Sequence, residues 1–279
     1  MLTFYNHFEP SIQVNKHMKS LLYLSDERTV FVGRLPQPLQ KQLSAASTFI
    51  VSTDGEIELV DYQSGDVVRG TSFLIPVGSE VGVNTYGNVL AYVFLDALGT
   101  DLATLIPKMK NTITLNDNTT VYGGFRNEPS IAKQIRDIWD VRATAKQVFA
   151  LTNFWVGSPL PGTSIFSDER VSKTVLLVKQ NYADNTSVAD IAKQVNLSEP
   201  RLMQLFKQIV GISIRRYRLW HRIYVTAAKM ESGLTLTEAA LGAGFSDGAQ
   251  FSRAFKEIGG VNPSDILSIT SNTDIRILT

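Results

Sequence analysis

Six side chains in the C-terminal third have the reach and the hydrogen-bonding groups to read another polymer. They are Arg201, Gln204 and Lys207 in one stretch, and Gln250, Arg253 and Lys256 in another. Arginine and glutamine can bond two atoms of a base edge at once, and lysine offers a point charge to phosphate. Within each set the residues recur every third position, a spacing that keeps them near one face of a helix. The stretch from Gly244 to Pro263, "GFSDGAQFSRAFKEIGGVNP", shows how such a face is held. Phe251 and Phe255 sit four apart and predict a buried side, which leaves Arg253 pointing away from it. Ser198 and Ser246 stand just ahead of the two sets, where a helix N-terminus could also meet phosphate.

The elements that position these side chains recur as a repeat. Residues 187–209 and 235–258 align 48 apart, with Ala192 matching Ala240, Asn196 matching Gly244, Leu197 matching Phe245 and Ser198 matching Ser246. Each copy predicts a short helix (Val188 to Val195; Leu236 to Ala243) that ends on a residue tolerant of positive φ. An apolar plug follows, then a Ser or Asp to cap the second helix. Leu202, Leu205, Phe206 and Ile209 in one copy, and Phe251, Ala254 and Phe255 in the other, form the buried side. Between the copies, "SIRRYRLWHRIYVTAAKMES" predicts a helix of about 30 Å, near the ~34 Å repeat of B-DNA. Arg215, Arg216, Arg218 and Arg222 decorate it and are open to two readings, phosphate contacts or intradomain ion pairs. Trp155 and Trp220 are read as core or interface.

Residues 168–266 resemble the DNA-binding domain of the AraC/XylS family of bacterial transcription regulators. The resemblance rests on "DIAKQVNLS", "LFKQIVG", "RIYVTAAKM", "GFSD", "FSRAFK" and "GVNPSDI". It implies seven helices, two helix-turn-helix units and a long linking helix. It also implies a sequence-specific, effector-responsive transcription regulator in which Arg201, Gln204, Lys207, Gln250, Arg253, Lys256, Ser198 and Ser246 face DNA. The implied partners are promoter DNA, with RNA polymerase, a small-molecule effector and a second copy of the chain as further candidates. The chain departs from the family pattern at Gln204, where a basic residue is usual, at Asn196 for Gly, at Gly259 for an aromatic, and near Ile214 for a Pro.

The N-terminal half predicts short strands separated by Gly and Asp turns, "TVFVGR", "FIVST", "GEIELVDY", "DVVRGTSFLIPVG", "SEVGVNTY" and "NVLAYVFLD". Its layout resembles the cupin-like β-barrel of many family members. Phe31, Phe73, Ile75, Tyr92 and Phe94 are its inward positions, open to lining a pocket or filling a core. A short helix is expected around Leu102 to Met109, and a longer one from Pro129 to near Gly157. Ile131, Ile135, Ile138 and Trp139 form an apolar stripe on the longer helix that predicts a dimer surface or packing on the barrel. The expected class is α+β with two domains: residues 1–156 sensing effector or dimerising, 157–167 as linker, and 168–279 binding DNA with every element helical.

Composition narrows the alternatives. The 279 residues contain no Cys, which removes thiolate nucleophiles, disulfides and Cys-ligated zinc, and fits a cytoplasmic, nucleoid-associated protein. The three His are His7, His17 and His221, none within a predicted strand, so no metal-dependent cupin site is expected. No Ser-His-Asp set, phosphate loop or catalytic carboxylate pair is visible, and neither enzymatic activity nor a cofactor is expected. No signal peptide or spanning segment is visible either. The net charge of +1 divides into −2 for residues 1–166 and +3 for 167–279, which permits DNA binding without demanding it. The remaining alternative is a ligand-binding or protein-interaction module with weak, non-specific affinity for DNA.

Overall fold

Among the described residues eleven strands precede the helical half, and apolar side chains alternating on both faces decide how they layer. The computed structural model describes residues 18–278 apart from 36–37, 44, 62–63, 96–97, 99, 116–118, 158–167 and 268–272. The strands are β1 (Ser20–Leu24), β2 (Thr29–Gly33), β3 (Leu39–Leu43), β4 (Thr48–Ser52), β5 (Ile57–Asp61), β6 (Val67–Gly70), β7 (Ser72–Ile75), β8 (Glu80–Asn84), β9 (Leu90–Phe94), β10 (Met109–Thr114) and β11 (Thr120–Phe125). A twelfth, β12 (Thr273–Ile277), comes from the far end of the chain. They form two open sheets rather than one closed barrel. The larger runs β10-β11-β7-β4-β9-β2-β1-β12 and the smaller β3-β8-β5-β6. The segment read as one strand over "DVVRGTSFLIPVG" breaks at Thr71, and its two pieces, β6 and β7, join different sheets.

The larger sheet is buried on both faces. Leu21, Tyr23, Val30, Val32, Phe49, Val51, Ala91 and Val93 pack on one side against α2 (Glu128–Val141) and α3 (Ala145–Val156). Their neighbours Leu22, Leu24, Phe31, Ile50, Leu90 and Tyr92 face the smaller sheet and the helical half in one continuous core. The five inward positions all lie on this second side, four of them buried and Phe94 packed against it.

Three readings are decided here. The helix expected over Pro129 to Gly157 is two helices, because Arg142 adopts a left-handed conformation (φ 55°) and Thr144 starts a new capping box with Gln147. The apolar stripe Ile131, Ile135, Ile138 and Trp139 is at most 5% exposed, so it packs on the sheet and offers no dimer surface. Met109, read as helical, opens β10 instead, after α1 (Thr100–Leu105) and a 3-10 turn at Ile106–Lys108.

Among the described residues the C-terminal half supplies seven helices, as the resemblance implies. They are α4 (Glu169–Gln180), α5 (Val188–Gln194), α6 (Glu199–Val210), α7 (Ile214–Glu231), α8 (Leu236–Gly242), α9 (Gly248–Gly259) and α10 (Pro263–Leu267). The expectation that every element after Ser167 is helical fails at β12. This strand lies parallel to β1 with Ser20 opposite Thr273 and Leu24 opposite Ile277. Arg276 donates to the carbonyls of Arg142 and Ala143, and the Arg142 guanidinium reaches Asp274 at 2.8 Å. Most of the expected linker, residues 158–167, lies outside the described residues, as do His7 and His17.

Candidate nucleic-acid interface

Both helix pairs turn by the same local chemistry. In the first, Ser187 caps α5 by accepting the Asp190 N–H (3.0 Å), and the chain leaves the helix through Asn196 at φ 55°. The Leu197 N–H then donates back to the Ala192 carbonyl (3.0 Å). In the second, Thr235 and Glu238 form a capping box, Gly244 takes φ 90°, and Phe245 donates to the Ala240 carbonyl (3.1 Å). A side chain at Gly244 would come within 2.8 Å of the Ala183 backbone, so glycine is required there by crowding as well as by φ. Ala192 and Ala240 are buried at the close approach of each pair.

The second helix of each pair buries one side and presents the other. Leu202, Leu205, Phe206 and Val210 anchor α6, while Phe251, Ala254 and Ile258 anchor α9, with Phe255 half-buried. Arg201, Gln204, Lys207, Arg253 and Lys256 are exposed, as are Ser198 and Ser246 at the helix starts; Gln250 is half-buried. Arg201 Nη1 donates to Gln204 Oε1 (2.9 Å), which orients that amide. Asp247 is the N-cap of α9, accepting the Gln250 N–H at 2.6 Å, a bond that holds its carboxyl below the usual range. The Gln250 side chain folds back to accept the Ser246 N–H (2.8 Å). Ser198 holds the N-cap position of α6, but its side chain makes no capping hydrogen bond. Pro200 and Met203 also project from the exposed side of α6. The sequence alone does not mark Met203 as exposed, because an apolar residue in a helix is assigned to the core by default, whereas Pro200 stands in the first turn, where its missing N–H is tolerated.

The linking helix α7 has 18 residues, about 27 Å at 1.5 Å each. Three of its four arginines serve the protein itself. Arg216 Nη1 reaches Glu257 of α9 (2.9 Å), and Arg218 Nη2 donates to the Thr186 carbonyl (2.8 Å). Arg222 is 5% exposed and donates to the Tyr182 carbonyl (2.7 Å) and Asn185 Oδ1 (3.1 Å). Burial lowers the pKa of all three guanidinium groups. Arg215 is exposed.

The opposite side of α7 meets the sheets. Trp220 packs on Phe94 with ring centroids 4.8 Å apart, while Trp155 is buried and donates to Gln134 Oε1 (2.6 Å). Beside Trp220 lies a cavity of about 560 Å³ between the turn after β1, the end of β9, α4 and α7. Its walls include Asp26, Arg28, Lys179, Trp220, His221 and Tyr224. Burial pulls the His221 pKa down to about 4 and pushes Tyr224 up to about 12. A smaller apolar cavity of about 110 Å³ lies between Phe31, Leu35, Ile223 and Ile258.

The helix-turn-helix domain family matches residues 191–268. The Msm operon regulatory protein of Streptococcus mutans is 29% identical over 141 residues, half of each chain. The arabinose operon regulatory protein of Escherichia coli is 35% identical over 102 residues, 35% of this chain and 34% of its own. The chain thus spans between a third and a half of the length of these relatives. Among solved structures, ToxT from Vibrio cholerae O395 has the same two-part fold, with a TM-score of 0.55 at 14% identity over 88% of this chain and 100% of its own. ToxT of strain SCE256, solved with an unsaturated fatty acid bound, gives 0.55 at 16% identity over 90% and 98%.

Proposed function

Because its C-terminal region is a helix-turn-helix domain of the AraC type, we propose that this chain is a sequence-specific DNA-binding transcription regulator. The observation that carries the reading is a pair of exposed reading faces, on α6 and α9, joined by one continuous helix. That helix, about 27 Å, approaches the ~34 Å repeat of B-DNA, so the two faces suit successive major grooves on one side of a duplex. In this reading Arg201, Gln204, Gln250 and Arg253 meet base edges. Lys207, Lys256, Arg215 and the helix starts at Ser198 and Ser246 meet phosphate. Arg216, Arg218 and Arg222 maintain the domain.

Residues 1–156 are the sensing half and residues 168–279 the DNA-binding half, with RNA polymerase and a second copy of the chain as further partners. The 560 Å³ cavity between the halves is the effector site, since its volume suits a small molecule. ToxT has been solved with a fatty acid. Here the walls combine aromatic rings with Asp26, Glu27 and Lys179, which favours an effector carrying polar groups over plain hydrocarbon.

The test is binding of the full chain to the DNA upstream of its own gene, against a scrambled duplex, at ~150 mM salt, where the non-specific term is weakened. A clear preference supports the reading. Equal weak binding to both duplexes, with every effector tried, sinks it.

A further inference from the structure

The two reading helices differ in chemistry, and the difference assigns them different bases. Counted from their N-caps, Ser198 and Asp247, Pro200 stands where α9 has Ala249. Likewise Met203 matches Ser252, Gln204 matches Arg253, and Lys207 matches Lys256. The buried anchors Leu202 and Leu205 coincide with Phe251 and Ala254 in this count, so the exposed positions of the two helices correspond.

On α6, Pro200, Met203, Gln204 and Lys207 are neighbours at spacings of three and four, opposite Leu202, Leu205 and Phe206. Pro200 is exposed and Met203 is 49% exposed. Together they make an apolar strip inside the polar reading face, bordered by the Gln204 amide, the Lys207 ammonium and the Glu199 carboxylate. The corresponding positions on α9 offer no such strip. Ala249 is one methyl, and the Ser252 hydroxyl donates back to the Gly248 carbonyl of its own helix (2.8 Å).

A single exposed apolar side chain on a protein surface carries no message. This strip differs because of what surrounds it. Around the helix, Lys207 lies between Met203 and Pro200 and Arg201 lies beyond Gln204, with Glu199 as the exposed acidic neighbour at the helix start, so the face carries a net positive charge that suits a polyanion. Of the groups exposed in a major groove, the thymine C5-methyl is the apolar one. Gln204 lies beside the strip with its oxygen oriented by Arg201, and an amide is the side chain that matches the N6 and N7 edge of adenine.

Resting on the proposed function, we infer that Pro200 and Met203 read thymine methyl groups. The α6 half-site is then an A·T step read by Met203 and Gln204, while the α9 half-site contains a guanine read by Arg253.

The test uses the full chain. A duplex is selected from a random library at ~150 mM salt, and each thymine is then replaced in turn by deoxyuridine, which lacks only the methyl group. The expected result is a loss of roughly fourfold in affinity, the worth of one buried methyl, at one or two positions within a single half-site. Met203→Gln should abolish the loss at the position that Met203 reads, and Met203→Leu should keep it. Tight binding that is indifferent to uracil at every position overturns the inference while leaving a sequence-specific regulator. So does a set of uracil penalties that Met203→Gln leaves unchanged at every position. A library from which no sequence is enriched overturns the regulator and this inference together.

Discussion

Arg253 and His221 show how differently a basic side chain can be used. Arg253 is exposed on α9 at the position where α6 carries Gln204. Replacing it with Ala should cost about 1–3 kcal/mol of specific binding and relax preference at one base pair. Titration against the selected duplex and its single-base variants checks this, and an unchanged profile removes Arg253 from the base-reading set. His221 is enclosed between Tyr182 and Tyr224 and held neutral, with its pKa near 4. The unfolded chain therefore binds a proton near pH 6.5 that the folded chain refuses until about pH 4, so stability falls as pH falls through that window. Between pH 7 and pH 5 the loss should be about 2 kcal/mol. Urea unfolding at the two pH values measures it, and His221→Asn should flatten the difference. The sequence displayed these charges but not their partners. Arg216, Arg218 and Arg222 look alike as a run, and only the packing of α7 on Thr186, Tyr182 and Glu257 separates them from Arg215.

At the level of the element, the helix pairs were readable because their instructions are local. Asn196 and Gly244 permit the turn, Ser187 and Thr235 cap, and the small Ala192 and Ala240 admit the partner helix, all within about ten residues. Alternation likewise announced β2, β4 and β9. It did not announce what covers an apolar face: α2 carries a helical stripe whether a sheet or a second molecule lies against it. Nor did it place the break at Arg142, a residue with no intrinsic preference for positive φ. One departure from the family pattern leads to a stability prediction. Gly259 sits in the last turn of α9, and a Cβ there would meet the Phe255 ring at an ordinary 3.7 Å. Gly259→Ala should stabilise the protein by about 0.5–1 kcal/mol by restricting the unfolded chain. Chemical denaturation with an unchanged m-value checks it, and a destabilised variant would mean the glycine is needed for the seam against β3.

For the whole molecule, the decisive element was the least legible. "TDIRI" is five residues long, and its partner, β1, lies roughly 250 residues away. No local rule connects them. Once paired, β12 fastens the helical half to the larger sheet through backbone bonds, Asp274 and Arg276, while α7 packs alongside it. Removing residues 273–279 should lower stability by on the order of 3 kcal/mol and split one cooperative unfolding transition into two. Scanning calorimetry distinguishes the cases, and a truncated chain that still melts in one transition at the full-chain temperature refutes the fastening role.

The same pairing fixes an order of events during synthesis. β1 leaves the ribosome among the first described residues, and its outer edge then waits for a strand translated roughly 250 residues later, some tens of seconds at bacterial elongation rates. Through that interval the nascent N-terminal half carries an open, apolar sheet edge of the kind that recruits stray strands. The helical half therefore completes the other half's fold as it emerges, and an interrupted translation product lacks both a seam and a finished sheet.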